Sequence, residues 1–186
     1  MDDLARETVL GGAQVARDQF NVKEHTGLGL IRLQTFHRKS GAVANLSRSL
    51  GVELPGPGET AADQNRQWFW SAPGEWIVAV HAGTERDAIS NLQAKLDGLF
   101  AVVSLMTDSR VVLDLTGSTA RDILARGSTV DFHPANFGAG RCINTRLAGV
   151  PVMLACSAGG ESVLLFADRS VGPYLLEWLE AASAEI

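Results

Sequence analysis

The chain has 186 residues, 46% of them hydrophobic and 20% charged, with a net charge of -5 and a pI near 5.3. This is ordinary globular composition; it excludes disordered and collagen-like chains, and nucleic-acid binding would need a clustered basic face that the sequence lacks. No segment approaches the ~18 consecutive apolar residues of a membrane span, and the acidic start has no secretory core, so the chain is expected in the cytoplasm and away from membranes.

Residues 1–26 show no strong period and read as an extended N-terminal arm. Residues 28–36 alternate loosely, as a strand does. Residues 40–50 place Val43, Leu46 and Leu50 at helical spacing, with Ser40 as N-cap. The run 53–59, with Pro55, Pro57 and two glycines, is a loop that continues through polar residues 60–66. Residues 67–71 form a short aromatic strand, Ala72-Pro73-Gly74-Glu75 a turn, and residues 76–80 the returning strand of that hairpin. Ala88, Ile89, Leu92 and Leu96 line one face of a helix over 84–96, capped by Thr84. In the second half, residues 100–106 and 110–115 read as strands around a turn at Asp108-Ser109. Residues 118–125 form a helix and 133–140 a loop. Strands 143–147 and 150–156 pair through Ala148-Gly149. A strand at 162–166 precedes a last helix, capped by Ser170, with Tyr174, Leu175, Trp178 and Leu179 on its buried face.

The halves echo each other. Ala-x-Gly-Glu-x followed by four apolar residues occurs at Ala72 and again at Ala158, each time before a helix. The expected architecture is α+β. Residues 27–98 make a first strand–helix–hairpin–helix lobe and 99–186 a second, joined in one unit behind the arm at 1–26.

Reactive machinery is sparse. There is no GxGxxG, no GxxxxGK[ST] and no GxSxG, and Gly27-Leu28-Gly29 precedes a strand where a dinucleotide fingerprint would follow one, so it reads as a flexible entry. His25, His37, His81 and His133 show no metal-ligand spacing. Cys142 and Cys156 are expected to be free and buried; Cys142 beside Arg141 is the only hint of an activated nucleophile. Trp68 and Trp70 share one strand face, which is either core or a protein-binding patch.

The second half carries a family resemblance. Residues 110–154 contain LDLTGSTARDILARG, then Asp131-Phe132-His133-Pro134, then Thr145-Arg146-Leu147-Ala148 before Val150-Pro151-Val152; LLEWLEAA from Leu175 and SAPGEWIVAV from Ser71 add to it. Over residues 28–182 the chain resembles the gamma subunit of heterotetrameric sarcosine oxidase. That family is in turn similar to the glycine-cleavage aminomethyltransferase, or T-protein, and its folate-binding superfamily, through Leu113, Leu115, Gly117, Ala120 and Leu124. The resemblance implies a T-protein-like, folate-binding-type fold. It implies a non-catalytic accessory subunit with no cofactor of its own, held against larger alpha, beta and delta subunits. Those partners would carry FAD, FMN and NAD and demethylate sarcosine to glycine. The one-carbon unit would pass to tetrahydrofolate or leave as formaldehyde. Trp68, Trp70, His133, Phe137 and Arg146 are the candidate partner-interface residues. The alternative is a stand-alone tetrahydrofolate-binding or one-carbon transfer protein.

Overall fold

The computed structural model describes residues 7–36 and 41–185; His37 and the helix cap expected at Ser40 lie outside them. In chain order the strands are β1 (Gln14–Arg17), β2 (Phe20–Glu24), β3 (Leu28–Thr35), β4 (Thr60–Ala62), β5 (Gln67–Ala72), β6 (Glu75–His81), β7 (Ala101–Leu105), β8 (Arg110–Thr116), β9 (Cys142–Leu147), β10 (Val150–Cys156) and β11 (Ser162–Asp168). The helices are α1 (Ala42–Leu50), α2 (Glu85–Lys95), α3 (Ala120–Gly127) and α4 (Gly172–Ser183).

The strands form two antiparallel sheets. Sheet A runs β1-β2-β8-β11-β10-β9 and sheet B runs β4-β5-β6-β3-β7. Alternation along each strand decides what each face meets. On β8, Val111, Leu113 and Leu115 join Leu124, Leu175 and Leu179 of α3 and α4 in one core. Val112, on the opposite face, joins Leu30, Phe69, Ile77, Met153 and Phe166 in a second core between the sheets. Ile31 and Leu33 of β3 turn the other way, toward Leu46 and Leu92 of α1 and α2. The result is four layers: helices, sheet B, sheet A, helices. Phe69 and Phe166 meet across the middle with ring centroids 5.1 Å apart and ring planes tilted by 56°.

The segment expected as a loose arm is docked. β1 and β2 pair as a hairpin, and β2 extends sheet A alongside β8. Leu10, Val15, Phe20 and Val22 are buried, so the arm contributes apolar side chains that the α3–α4 core would otherwise leave exposed. The Glu24 carboxylate accepts hydrogen bonds from the backbone N–H groups of Val9 and Leu10 at 3.1 and 3.0 Å, which pins the entry to β1. Between β8 and α3, Gly117 takes φ +108°, and a Cβ there would collide with the carbonyl oxygen of Gln19. That carbonyl also accepts from the backbone N–H and the hydroxyl of Thr119.

Other expectations shift. β7, placed by sequence at the start of the second half, pairs with β3 and so lies in sheet B. The polar run after the Pro-Gly loop contains the three-residue β4. Ser118 does not start α3, which begins at Ala120 behind Thr119. Asp168, not Ser170, caps the turn leading to α4, accepting from the Ser170 N–H and hydroxyl. Tyr174 is exposed; its hydroxyl donates to the Ala148 carbonyl at 2.8 Å and sits at the surface for that reason. Two positive-φ residues, Ala148 and Gly149, make the β9–β10 hairpin turn.

Gly117→Ala is expected to lower stability by at least about 1 kcal/mol, or roughly 2–4 °C in Tm, because it combines a positive φ with a backbone collision. Gly83→Ala, at φ +89° but with open space around the added carbon, should cost less; thermal melts followed by circular dichroism compare the two.

Candidate functional site

The five residues marked as a partner interface separate in the structure. Trp68 is fully buried against α1 and α2, because sheet B is covered on both faces and its strand face is core. Phe137 is buried too. The Arg121 guanidinium donates to the carbonyls of Phe132 and Phe137 and to the Cys156 sulfur, and its cationic carbon lies 6.0 Å from the Phe137 ring. The loop at 133–140 therefore folds inward at Phe137. Neither residue offers surface to a partner. Trp70 is half-buried, and His133 and Arg146 are exposed. Trp70 meets the start of β9, where Cys142 Sγ donates to the Trp70 carbonyl and the Asn144 amide donates to the Ser71 carbonyl; Arg146 stands near the other end of β9 and His133 in the loop before it.

Side chains that could do chemistry are either buried or locally engaged. Cys142 and Cys156 are free and buried. Burial pushes the Cys142 thiol up to about 11, which outweighs hydrogen bonding at Trp70 and the charge of Arg141. It is a poor nucleophile at neutral pH. Asp131 is held below the usual carboxylate range by the His133 backbone N–H and then the Asn136 amide, so it shapes a turn. Among the described residues, no group of three or more His, Cys, Asp or Glu side chains could hold a metal ion, and no helix is long and apolar enough to cross a membrane.

Two features stand out that the sequence pattern did not single out. The first is the outer edge of sheet B. Phe36 and Phe100 meet edge to face at 6.0 Å, and they remain 60% and 63% exposed. Beside them Val102 and Leu105 of β7 are also exposed. The second is a cavity of about 410 Å³ at the seam between the sheets. It is lined by the end of β2, the start of β3, the start of α2, the turn at Thr107, Arg110 and Arg169. Gly29, expected as a flexible strand entry, is buried between the cavity-lining Leu28 and Leu30: the Glu85 side chain lies directly over it, in space that any Cβ would occupy. Gly and Glu residues 56 positions apart give no signal of that contact in one sequence.

Against known proteins, the model of the sarcosine oxidase, gamma subunit family matches residues 38–185. The chain belongs to that family. The sarcosine oxidase subunit gamma of Corynebacterium sp. strain U-96 is 31% identical over 144 residues, covering 76% of this chain and 69% of that protein. The subunit gamma of an Arthrobacter species is 34% identical over 148 residues, covering 78% and 71%. Among solved structures, a chain of heterotetrameric sarcosine oxidase from Corynebacterium sp. U-96, in complex with pyrrole 2-carboxylate, superposes with TM-score 0.83 at 27% identity. The match spans 97% of this chain and 95% of that one. The glycine cleavage aminomethyltransferase T of Bartonella henselae shares the fold, at TM-score 0.66 and 18% identity over 88% of this chain and 46% of that one.

Both thiols of this gamma-family chain should resist iodoacetamide at pH 8 in the native state and react quickly once denaturant unfolds it. The raised Cys142 pKa also sets a sign. The unfolded thiol ionises first, near its ordinary 9.0, so the contribution is complete below pH 9 and is lost as pH rises toward 11. Urea titrations at pH 8 and pH 10.5 should show the Cys142→Ala variant losing less stability across that interval than the natural chain.

Proposed function

We propose that this chain is the gamma subunit of a heterotetrameric sarcosine oxidase, working in the cytoplasm as a non-catalytic scaffold against larger alpha, beta and delta subunits. The observation that carries the reading is the end-to-end match with a chain of that complex. FAD, FMN and NAD are assigned to the partner subunits. The complex converts sarcosine to glycine and delivers the one-carbon unit to tetrahydrofolate or as formaldehyde. The buried, high-pKa thiol of Cys142 and the locally engaged Asp131 are consistent with a chain that leaves chemistry to its partners.

The two lobes are proposed to be pseudo-repeats. β4-β5-β6-β3 in sheet B and β9-β10-β11-β8 in sheet A follow one order, each strand set being interrupted by its own first helix and followed by its second. The lobes exchange elements at their borders: β7 extends the first sheet and the β1–β2 hairpin extends the second.

Docking is assigned to the β7 edge. Solvent-exposed sheet edges are usually short, charged or covered, because an unpaired strand invites pairing with another chain. Here β4 has three residues, β1 has four and ends in Arg17, and β9 carries Arg146. β7, with the sequence AVVSL, has no charge and no proline, and the Phe36–Phe100 pair adjoins it. Trp70, His133 and Arg146 are proposed as further, more polar contacts.

Co-expression with the three partner subunits should yield a stoichiometric complex carrying this chain. Leu105→Lys combined with Val102→Lys should abolish co-purification while leaving the melting curve within about 2–4 °C, since surface changes cost little. A well-behaved monomer that ignores the partners would overturn the assignment. Loss of binding from His133→Ala with Arg146→Ala alone would move the main interface to the β9 side.

A further inference from the structure

Among the described residues, two buried side-chain polar atoms have no hydrogen-bond partner: Arg32 Nε and Asp114 Oδ1. Both residues sit on strand faces that look into the layer between the sheets. Arg32 follows Leu30 by two positions on β3, and Asp114 follows Val112 by two on β8; Leu30 and Val112 belong to the inter-sheet core. Leu30 and Val112 also line the seam cavity, and β3 and β8 both run on from it, so the two charges stand at the same next step along the layer. Lys23 of β2 opposes Asp114 in register, but it is exposed and leaves Oδ1 unbonded. This flank of the layer is open. On the other flank β5 is tied to β9 through Cys142 and Asn144. Here the inward-facing residues stay uncovered: Asn21 and Lys23 of β2 and Val102 of β7 are exposed. Val102 opposes Gln34 in register and so shares the face of Arg32. The exposed Phe36–Phe100 pair adjoins it at the end of these strands. The sheets therefore part toward β2 and β7, with the two unpartnered charges at the inner end of the opening and apolar side chains at its mouth.

We propose that this opening receives a polypeptide segment of a partner subunit, one that brings a carboxylate to Arg32 and an N–H donor to Asp114 beside an apolar side chain that covers Val102 and the phenylalanine pair. A buried charged group left without a partner costs stability, so a chain that keeps two of them on one open flank gains when a second chain pairs them. The charges narrow the occupant. A purely apolar segment would desolvate both without compensation. A lone anion would suit Arg32 and be repelled by Asp114, and a lone cation would do the reverse. A segment that carries groups of both kinds along an extended backbone satisfies both and also covers the apolar mouth. The proposal rests on the assembly reading and adds to its β7 edge the pair of charges that sets the register of the incoming segment.

The test follows each full-length variant alone and in competition for the partners. Natural chain and variant, carrying different tags, are co-expressed with the three partner subunits, and their ratio in the purified complex is measured. Purified alone, Arg32→Met and Asp114→Leu should each melt at or above the temperature of the natural chain, because each removes an unpartnered buried atom. In the competition each should be under-represented by at least about tenfold. Asp114→Asn, of the same shape, serves if Asp114→Leu does not fold, and Arg32→Lys, which keeps the charge, should recover part of the loss. Arg126→Gln, whose guanidinium bonds Ala182 and Glu185 away from the opening, should compete as the natural chain does. A natural chain that joins no partner overturns the assembly reading and this one with it. A natural chain that assembles while folded Arg32 and Asp114 variants compete equally overturns this proposal alone. Variants that melt clearly lower in isolation would overturn it too, since the groups would then be satisfied within the chain. So would self-association of the isolated chain that the same substitutions abolish, which would make a second copy the occupant.

Discussion

The apolar layer between the two sheets is the constraint on which the structure rests. Leu30, Phe69, Ile77 and Ala79 from one sheet interdigitate with Val112, Cys142, Met153, Ala155 and Phe166 from the other. Because helices cover the outer faces as well, β6 and β10 must be apolar on both sides, and they read as nearly continuous hydrophobic runs. A buried side chain of this kind is worth about 1.5–3 kcal/mol over an exposed one. The same layer explains the thiol chemistry: Cys142 sits in it as a small hydrophobe, and low polarity there disfavours the thiolate.

Polar chemistry is displaced to the margins. At one seam the sheets part enough to leave a cavity whose walls come from β2, β3, β8 and the start of α2. The hairpin of β1 and β2 closes that region, since Glu24 both ends β2 and holds Val9 and Leu10. At the far edge of sheet B, Phe36, Phe100, Val102 and Leu105 stay exposed, while Ala101 and Val103 of β7 turn inward toward α2. The two places differ in kind. One is concave and mixed in charge; the other is an unpaired, uncharged strand edge of the sort that another polypeptide completes.

Much of the local structure was legible. The Ala-Pro-Gly-Glu turn located β5 and β6, the Leu113–Leu124 pattern located β8 and α3, and Ala148-Gly149 located a tight hairpin. These are short-range signals, in which a turn residue or a period acts on its own neighbourhood. What stays illegible has a common cause. Alternation puts Trp68 and Trp70 on one strand face, but it says which side chains point together and not what covers them. Phe137 lies in a loop by composition, and the Arg121 guanidinium, reaching across from α3, and the Phe132 ring hold it in the core. The arm had no period because only Val15, Phe20 and Val22 of its two strands are buried, so the apolar pattern was too short to stand out.

Periodicities, turns, membership of the sarcosine oxidase gamma family and the scarcity of nucleophile or metal motifs can be read from the residues alone. Those features depend on residues close together in the chain, or on a pattern of types that one reading can compare with a family. Which of two sheets receives β7, how β1 and β2 extend sheet A, how Gly29 makes room for Glu85, and which described hydrophobic residues stay exposed emerge in the folded chain. Each of those depends on long-range pairing, and a β-sheet obtains its partners from anywhere in the chain, so the physical environment of a strand is set by elements that its own residues do not encode.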